Sequence, residues 1–275
     1  MTRSLATRRR AVTSRPTETP TDAVPATASA IEIRGVRHDF GDVVALAGID
    51  FAVARHERLG IVGPSGCGKS TLLSAIAGLL EPVEGTITID EARSANERLA
   101  RCALMPQRDL LLPWRTALAN AAIALENRGV PSRQARDRAR PLFERFGLAE
   151  FEERMPSQLS GGMRQRVAFL RTLMAEKDIL LLDEPFAALD SITRAGMQEW
   201  LLGALAQEPR TVIFVTHDVD EALLLTNRLI VMSARPGRIV RTIQTDLRRD
   251  APRREVVTSP EFAALKEIAL EALEL

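Results

Sequence analysis

Tyrosine is missing from this 275-residue chain, and lysine is nearly so: of 37 basic residues only Lys69, Lys177 and Lys266 are lysines. The bias toward arginine fits a GC-rich genome, and it makes a lysine inside a motif more telling. Cysteine is scarce as well. Cys67 and Cys102 are too few for a disulfide framework and fit a reducing compartment. No apolar run nears the roughly 18 residues that span a bilayer, so the chain is not expected to cross one alone. Charge of one sign is also lacking. Against 37 basic residues stand 36 acidic ones, and the net +1 gives no global attraction for nucleic acid or an anionic membrane. What is present is ordinary globular stock, 45% apolar and 27% charged. A chain of this length buries roughly 75% of its unfolded surface and needs no covalent staples.

Residues 1–30 are rich in Thr, Ala, Pro, Ser and Arg and poor in large apolar side chains, which predicts a disordered tail. The Arg8-Arg9-Arg10 run lacks the apolar stretch that a twin-arginine or transit signal requires. From Ile31 to Phe51, short alternating runs broken by Gly41 and Gly48 predict antiparallel strands. Arg58 to Val62 reads as a buried strand, Ser70 to Leu80 as a helix and Thr86 to Asp90 as a strand; residues 91–100 read as a polar loop. Helices follow at Thr116–Asn127 and Ser132–Phe146, then a short piece near Leu148–Arg154. Next come a helix from 160 to about Ala175, a strand at Ile179–Leu182, a helix at Ser191–Gln207 and a strand at Thr211–Val215. Alternating strands and helices predict a parallel sheet covered on both faces, with the helical segment, about 108–165, inserted into it. Ser259-Pro260 starts a last helix within a C-terminal extension, 246–275.

Two segments carry chemistry. Gly63-Pro64-Ser65-Gly66-Cys67-Gly68-Lys69-Ser70 fits G-x-x-x-x-G-K-[ST] between a strand and a helix, the context this phosphate-binding loop requires. Its glycines let backbone N–H groups face inward, and the following helix adds its positive end. Lys69 supplies a charge for the β- and γ-phosphates, the Ser70 hydroxyl can ligate Mg²⁺, and Thr71 assists near the α-phosphate. Cys67 is a small filler. The strand Ile179–Leu182 delivers Asp183 and Glu184 to the carboxyl edge of the sheet, where open α/β sheets bind ligands. Asp183 suits Mg²⁺, and Glu184 can polarise an attacking water.

Leu159-Ser160-Gly161-Gly162-Met163-Arg164-Gln165-Arg166 is rarer than either motif and resembles the signature of ATP-binding-cassette (ABC) ATPases. The resemblance covers about 31–245 and five motifs in the family's order. It implies a RecA-like P-loop NTPase core with an antiparallel β subdomain and a helical insertion. Ser160, Gly161 and Gly162 then form a second anion site that faces the nucleotide of the other subunit. Gln107 matches the glutamine loop, a phosphate-sensing and Mg²⁺-contacting position. Asp190 matches the dimer-contacting aspartate loop, and His217 the switch histidine. Phe40 occupies the adenine-stacking position, where tyrosine is usual, and Ala187 stands where relatives often carry glycine. His38 and His56 fit no motif and are expected on the surface.

The family reading implies a Mg²⁺-dependent ATPase that works as a homodimer on the cytoplasmic face of a membrane. It couples hydrolysis to transmembrane permease subunits, indirectly to an extracytoplasmic solute-binding protein, and not to nucleic acid. Leu112-Pro113-Trp114 and Ser233–Ile239 resemble the nitrate, sulfonate and taurine importer ATPases. Ala168–Thr172 resembles members linked to a thiamine pyrimidine precursor, an alternative cargo. With a single helix expected in the extension to about 275, the β-barrel domain of sugar and polyamine importer ATPases is not expected here. A P-loop kinase or GTPase has no use for Leu159–Met163. A non-transport DNA-repair member would insert long coiled coils. The apolar run Leu110–Trp114 either packs the helical insertion or receives a helix of the membrane subunit.

Overall fold

Leu180, Leu181 and Leu182 offer no polar face, so their strand must lie inside. The computed structural model, which describes residues 29–248 and 251–274, places them fully buried in the second strand of a six-stranded sheet. The chain runs through β1 (Ser29–Phe40), β2 (Val43–Ala54), β3 (Arg58–Val62), α1 (Lys69–Ala77), β4 (Glu84–Ile89), α2 (Ala95–Arg101) and β5 (Cys102–Met105). The helical segment follows as α3 (Ala117–Glu126), α4 (Ser132–Arg145) and α5 (Gly161–Leu173). Then come β6 (Ile179–Asp183), α6 (Ser191–Gln207), β7 (Thr211–Val215), α7 (Val219–Leu225), β8 (Arg228–Met232), β9 (Ile239–Gln244), α8 (Arg253–Val257) and α9 (Pro260–Leu273).

The main sheet has the order β5-β6-β7-β3-β8-β9, with β9 antiparallel and its other pairs parallel. Every residue of β6, β7 and β8 is buried, as expected for strands covered on both faces. β1, β2 and β4 form a separate antiparallel sheet in the order β2-β1-β4. Its inward residues Ile31, Ile33, Leu46 and Ile49 share a core with Leu72 and Ile76 of α1. On the other face of the main sheet, α3, α5 and α6 pack over Leu180, Leu182 and Phe214. A run of rings joins these layers: Trp200 lies 4.5 Å from Phe146, Phe169 lies 5.6 Å from Phe186, and Phe186 lies 5.9 Å from Phe214. Thus the helical segment is anchored to the sheet through aromatic contacts.

The tail expected at 1–30 lies outside the described residues as far as position 28; at 29–30 the structure has the start of β1, with Ala30 already buried. Two expectations need correction. Residues 91–100 are not all loop, because Ser94 and Glu97 form a reciprocal capping box that starts α2. Arg98 on this short polar helix is 2% exposed and donates to Glu81 at 3.1 Å. His38 is buried, not on the surface, with its ring 4.7 Å from that of Phe40. An aromatic neighbour and a strand position facing inward explain its burial. Among the described residues no helix is long and apolar enough to cross a membrane.

Candidate active site

The turn between β3 and α1 is built by residues that have no alternative there. Gly66 and Gly68 have φ of +77° and +101°. A Cβ at Gly68 would lie 2.9 Å from the Ala45 carbonyl, so a side chain at Gly68 is barred by space as well as by conformation. Cys67 is buried beneath the loop, the filler role expected of it. The Lys69 ammonium donates to the carbonyls of Gly63 at 2.7 Å and Pro64 at 3.0 Å. With only 7% of Lys69 exposed, the charge is held at the loop and not in bulk water.

A cavity of about 400 Å³ opens above this turn. Its lining includes Phe40, Ser65, Gly66, Gly68, Lys69, Ser70, Thr71, Gln107 and Glu184, which the structure therefore brings together. Gly63, Pro64 and Cys67 form the turn without lining this space. Phe40 stands at its rim, 54% exposed.

Asp183 ends β6 in a buried position and takes a hydrogen bond from the Ser70 side chain. Burial pushes its carboxyl above the ordinary aspartate range, against the pull of that hydrogen bond and of Lys69. Glu184 follows in the left-handed region, φ +48°, held by its N–H donating to the Val215 carbonyl at 2.8 Å. The turn swings its side chain away from that of Asp183. Oε2 of Glu184 lies 3.3 Å from Nε2 of Gln107 and 3.3 Å from Nδ1 of His217. His217 itself is 61% exposed at the side chain.

Ser160, Gly161, Gly162 and Asp190 do not line this cavity. Ser160 caps α5, its Oγ accepting from the Met163 N–H at 3.2 Å, and Ser160 and Gly161 face solvent. Asp190 caps α6, and the N–H groups of Thr193 and Ile192 hold its carboxyl below the ordinary range. These two helix starts adjoin: a Cβ at Gly162 would lie 3.3 Å from the Ala188 carbonyl. The glutamine segment is tied to α5. Asp109 accepts from Arg164 Nε at 2.9 Å, and Arg171 donates to the carbonyls of Asp109 at 2.7 Å and Leu110 at 2.8 Å.

Sequence reasoning missed Arg235 as a site residue. Its guanidinium donates to the Gly66 carbonyl at 3.2 and 3.1 Å and lines the cavity. A Cβ at Gly237 would be 2.1 Å from the Cys67 carbonyl, so the 233–239 loop is pressed on the phosphate loop. The only signal was the Arg-Pro-Gly run itself, which carries no phosphate chemistry on its own. The Leu110–Trp114 run also divides: Leu111 is buried at 8% exposure, whereas Leu110 and Trp114 are exposed at 58% and 71%. Trp114 therefore does not pack the core.

The family described as ABC transporter matches residues 46–187. A taurine import ATP-binding protein of Rhizobium johnstonii is 44% identical over 229 residues, 82% of this chain and 87% of that protein. An aliphatic sulfonates import ATP-binding protein of Rhodococcus jostii is 42% identical over 243 residues, 88% of this chain and 93% of that one. Among solved structures, a dimeric ATP-binding cassette in a post-hydrolysis state with ADP and phosphate superposes with a TM-score of 0.72 at 30% identity, covering 78% of this chain and 98% of that one. The P-loop fold, the phosphate-loop cavity and these relatives together make this chain a member of the ABC transporter family, one of its ATP-binding, ATP-hydrolysing subunits.

Proposed function

We propose that this chain drives an importer for a small anion or organic solute of the nitrate, sulfonate or taurine kind, working as a nucleotide-sandwich homodimer beneath permease subunits at the cytoplasmic face of the membrane. The names of its relatives support the cargo class. One observation carries the dimer: Ser160 and Gly161 present a solvent-facing helix start that takes no part in the chain's own phosphate cavity. A helix N-terminus with free N–H groups suits a phosphate, and a second copy supplies one. Gly162 and Asp190 stand beside that helix start.

In this reading the loop N–H groups and Lys69 grip the phosphates, Arg235 braces the loop, and the Phe40 ring lies against the adenine. Mg²⁺ fits the donors present. Asp183 and the Ser70 hydroxyl are already paired, with Gln107 across the cavity. Among the described residues no cluster of three or more His, Cys, Asp or Glu could hold an ion without the nucleotide. When bound, the ion neutralises charge that develops on the phosphates. Glu184 orients the attacking water and accepts its proton. His217 and Gln107, both against Glu184, report the state of the γ-phosphate side.

The test is the mass of Glu184→Gln in solution with Mg²⁺-ATP. The amide keeps the shape and loses the base, so a stable dimer should accumulate with ATP and dissolve with ADP. A variant that stays monomeric in saturating ATP rejects the sandwich. Co-purified permease and solute-binding proteins identify the cargo, by which of taurine, an alkanesulfonate, nitrate or a thiamine pyrimidine stabilises the binding protein.

A further inference from the structure

A second cavity, of about 700 Å³, opens at the opposite edge of the main sheet, where the parallel strands begin. It shares no lining residue with the phosphate-loop cavity. Its size is that of a small-molecule site. Leucines of α6 and α7, among them Leu202, Leu205 and Leu224, form an apolar wall. Among the described lining residues the charge is one-sided: Arg58, Arg210 and Arg253 face a single carboxylate, Glu199.

The three arginines are not equivalent. Arg210 pairs with Glu208 at 3.2 Å, and Arg253 donates to the Gln198 side-chain oxygen. Arg58 has only the neutral Asn227 carbonyl, 3.3 Å from its Nε. Burial lowers its pKa with no neighbouring charge to offset the effect. A desolvated cation without a counter-charge is costly, and a bound anion removes that cost. Gly203 gives independent support. It lies within α6, among residues 191–207, where glycine is a poor helix former. Its backbone needs no positive φ, and a Cβ there would meet nothing within 4 Å. Neither conformation nor packing requires glycine at this position; its missing side chain leaves the cavity wall open.

The cavity is also wired to the catalytic edge. Arg253 holds Gln198, whose Nε2 donates to Glu221 at 2.8 Å; Glu221 accepts from the Thr216 hydroxyl at 2.5 Å. Gln198, Glu221 and Thr216 are all buried, and His217 follows Thr216 directly. We propose that this cavity is an effector site for a small amphipathic organic anion. Arg58 holds its sulfonate or carboxylate, the leucine wall covers its hydrocarbon part, and occupancy is read at His217 through Gln198, Glu221 and Thr216.

The probe is 1-hexanesulfonate, titrated calorimetrically into the full chain, with sulfate and 1-hexanol as the two halves of the ligand. Binding at one site with a Kd of about 1 mM or tighter is expected, and each half should bind about tenfold more weakly or worse. Arg58→Gln and Gly203→Phe should each weaken binding about tenfold. Gly203→Phe puts a ring into open space, so it should melt no lower than the parent and bind ATP as the parent does. Saturating hexanesulfonate should change the ATP hydrolysis rate of the parent about fivefold and leave the rate of Gly203→Phe unaltered. The proposal is overturned by absence of binding, by undiminished binding to Gly203→Phe, by hexanol or sulfate binding as tightly as hexanesulfonate, or by binding that leaves the parent's rate unchanged. The binding arm is independent of whether the chain serves an importer.

Discussion

Nδ1 of His217 stands 3.3 Å from Oε2 of Glu184, across the gap between the ends of β6 and β7. The same carboxylate oxygen also receives Gln107, so one atom gathers the proposed base and both proposed sensing residues. Removing the base should cost the most. Glu184→Gln should lower the hydrolysis rate about 10²-fold or more, while equilibrium ATP binding persists. His217→Ala should also slow turnover, measured as phosphate release at saturating ATP, because it removes a contact on the γ-phosphate side. A Glu184→Gln variant with parental turnover would move the base role to another residue.

Lys69 and Arg235 hold different carbonyls of the phosphate loop, those of Gly63 and Pro64 and that of Gly66. Lys69→Ala should abolish hydrolysis, since it removes the loop's own cation. Arg235→Ala leaves that cation in place and removes only the brace on the Gly66 carbonyl. It should weaken ATP binding by about 0.5–1.5 kcal/mol, the net value of such a hydrogen bond. Titration with a fluorescent ATP analogue separates the two.

Trp114 is 71% exposed, so Trp114→Ala should shift stability by no more than about 0.5 kcal/mol. The same variant should keep basal ATP hydrolysis and lose co-purification with the permease, because truncating a large aromatic at a contact costs about 2 kcal/mol or more. By contrast, Phe169→Ala should cost about 3–5 kcal/mol in denaturant unfolding, because Phe169 is fully buried between Phe146 and Phe186.

Asp183 gives a pH prediction. Its folded pKa is raised, so the folded state favours the proton more than the unfolded chain does. Stability associated with this group is present below the ordinary aspartate range and is lost as pH rises through the raised value. Above that raised value the ionised carboxylate therefore destabilises the nucleotide-free fold. Asp183→Asn should melt higher than the parent at pH 8, by a margin that shrinks toward pH 4, and should lose Mg²⁺-dependent hydrolysis. An equal margin at both pH values would remove burial as the cause.

Much of this was readable beforehand where chemistry and local sequence coincide. A lysine in a lysine-poor chain, following three glycines at motif spacing, leaves few alternatives. Four apolar residues ahead of Asp183 and Glu184 place both acids at a sheet edge. Sequence distance hid the rest. Arg235 reaches Gly66 across 169 positions, and nothing local to the Arg-Pro-Gly run reveals its partner. The α2 helix carries its signal in the Ser94–Glu97 cap and not in apolar periodicity. His38 is polar by composition, yet the sheet register and Phe40 decide its burial. The charge imbalance around Arg58 arises only when β3, α6 and the C-terminal segment meet.

The paired arginines on Asp109 have a mechanical consequence. Gln107 sits two residues before Asp109, whose carboxylate and carbonyl, together with the Leu110 carbonyl, are held by Arg164 and Arg171 of α5 through three hydrogen bonds. A backbone shift at Gln107 would strain those bonds or be passed to α5, and Ser160 is the N-cap of that helix. In the proposed dimer, a shift of the glutamine segment at one nucleotide would then be felt at the helix start that the same chain offers to the other.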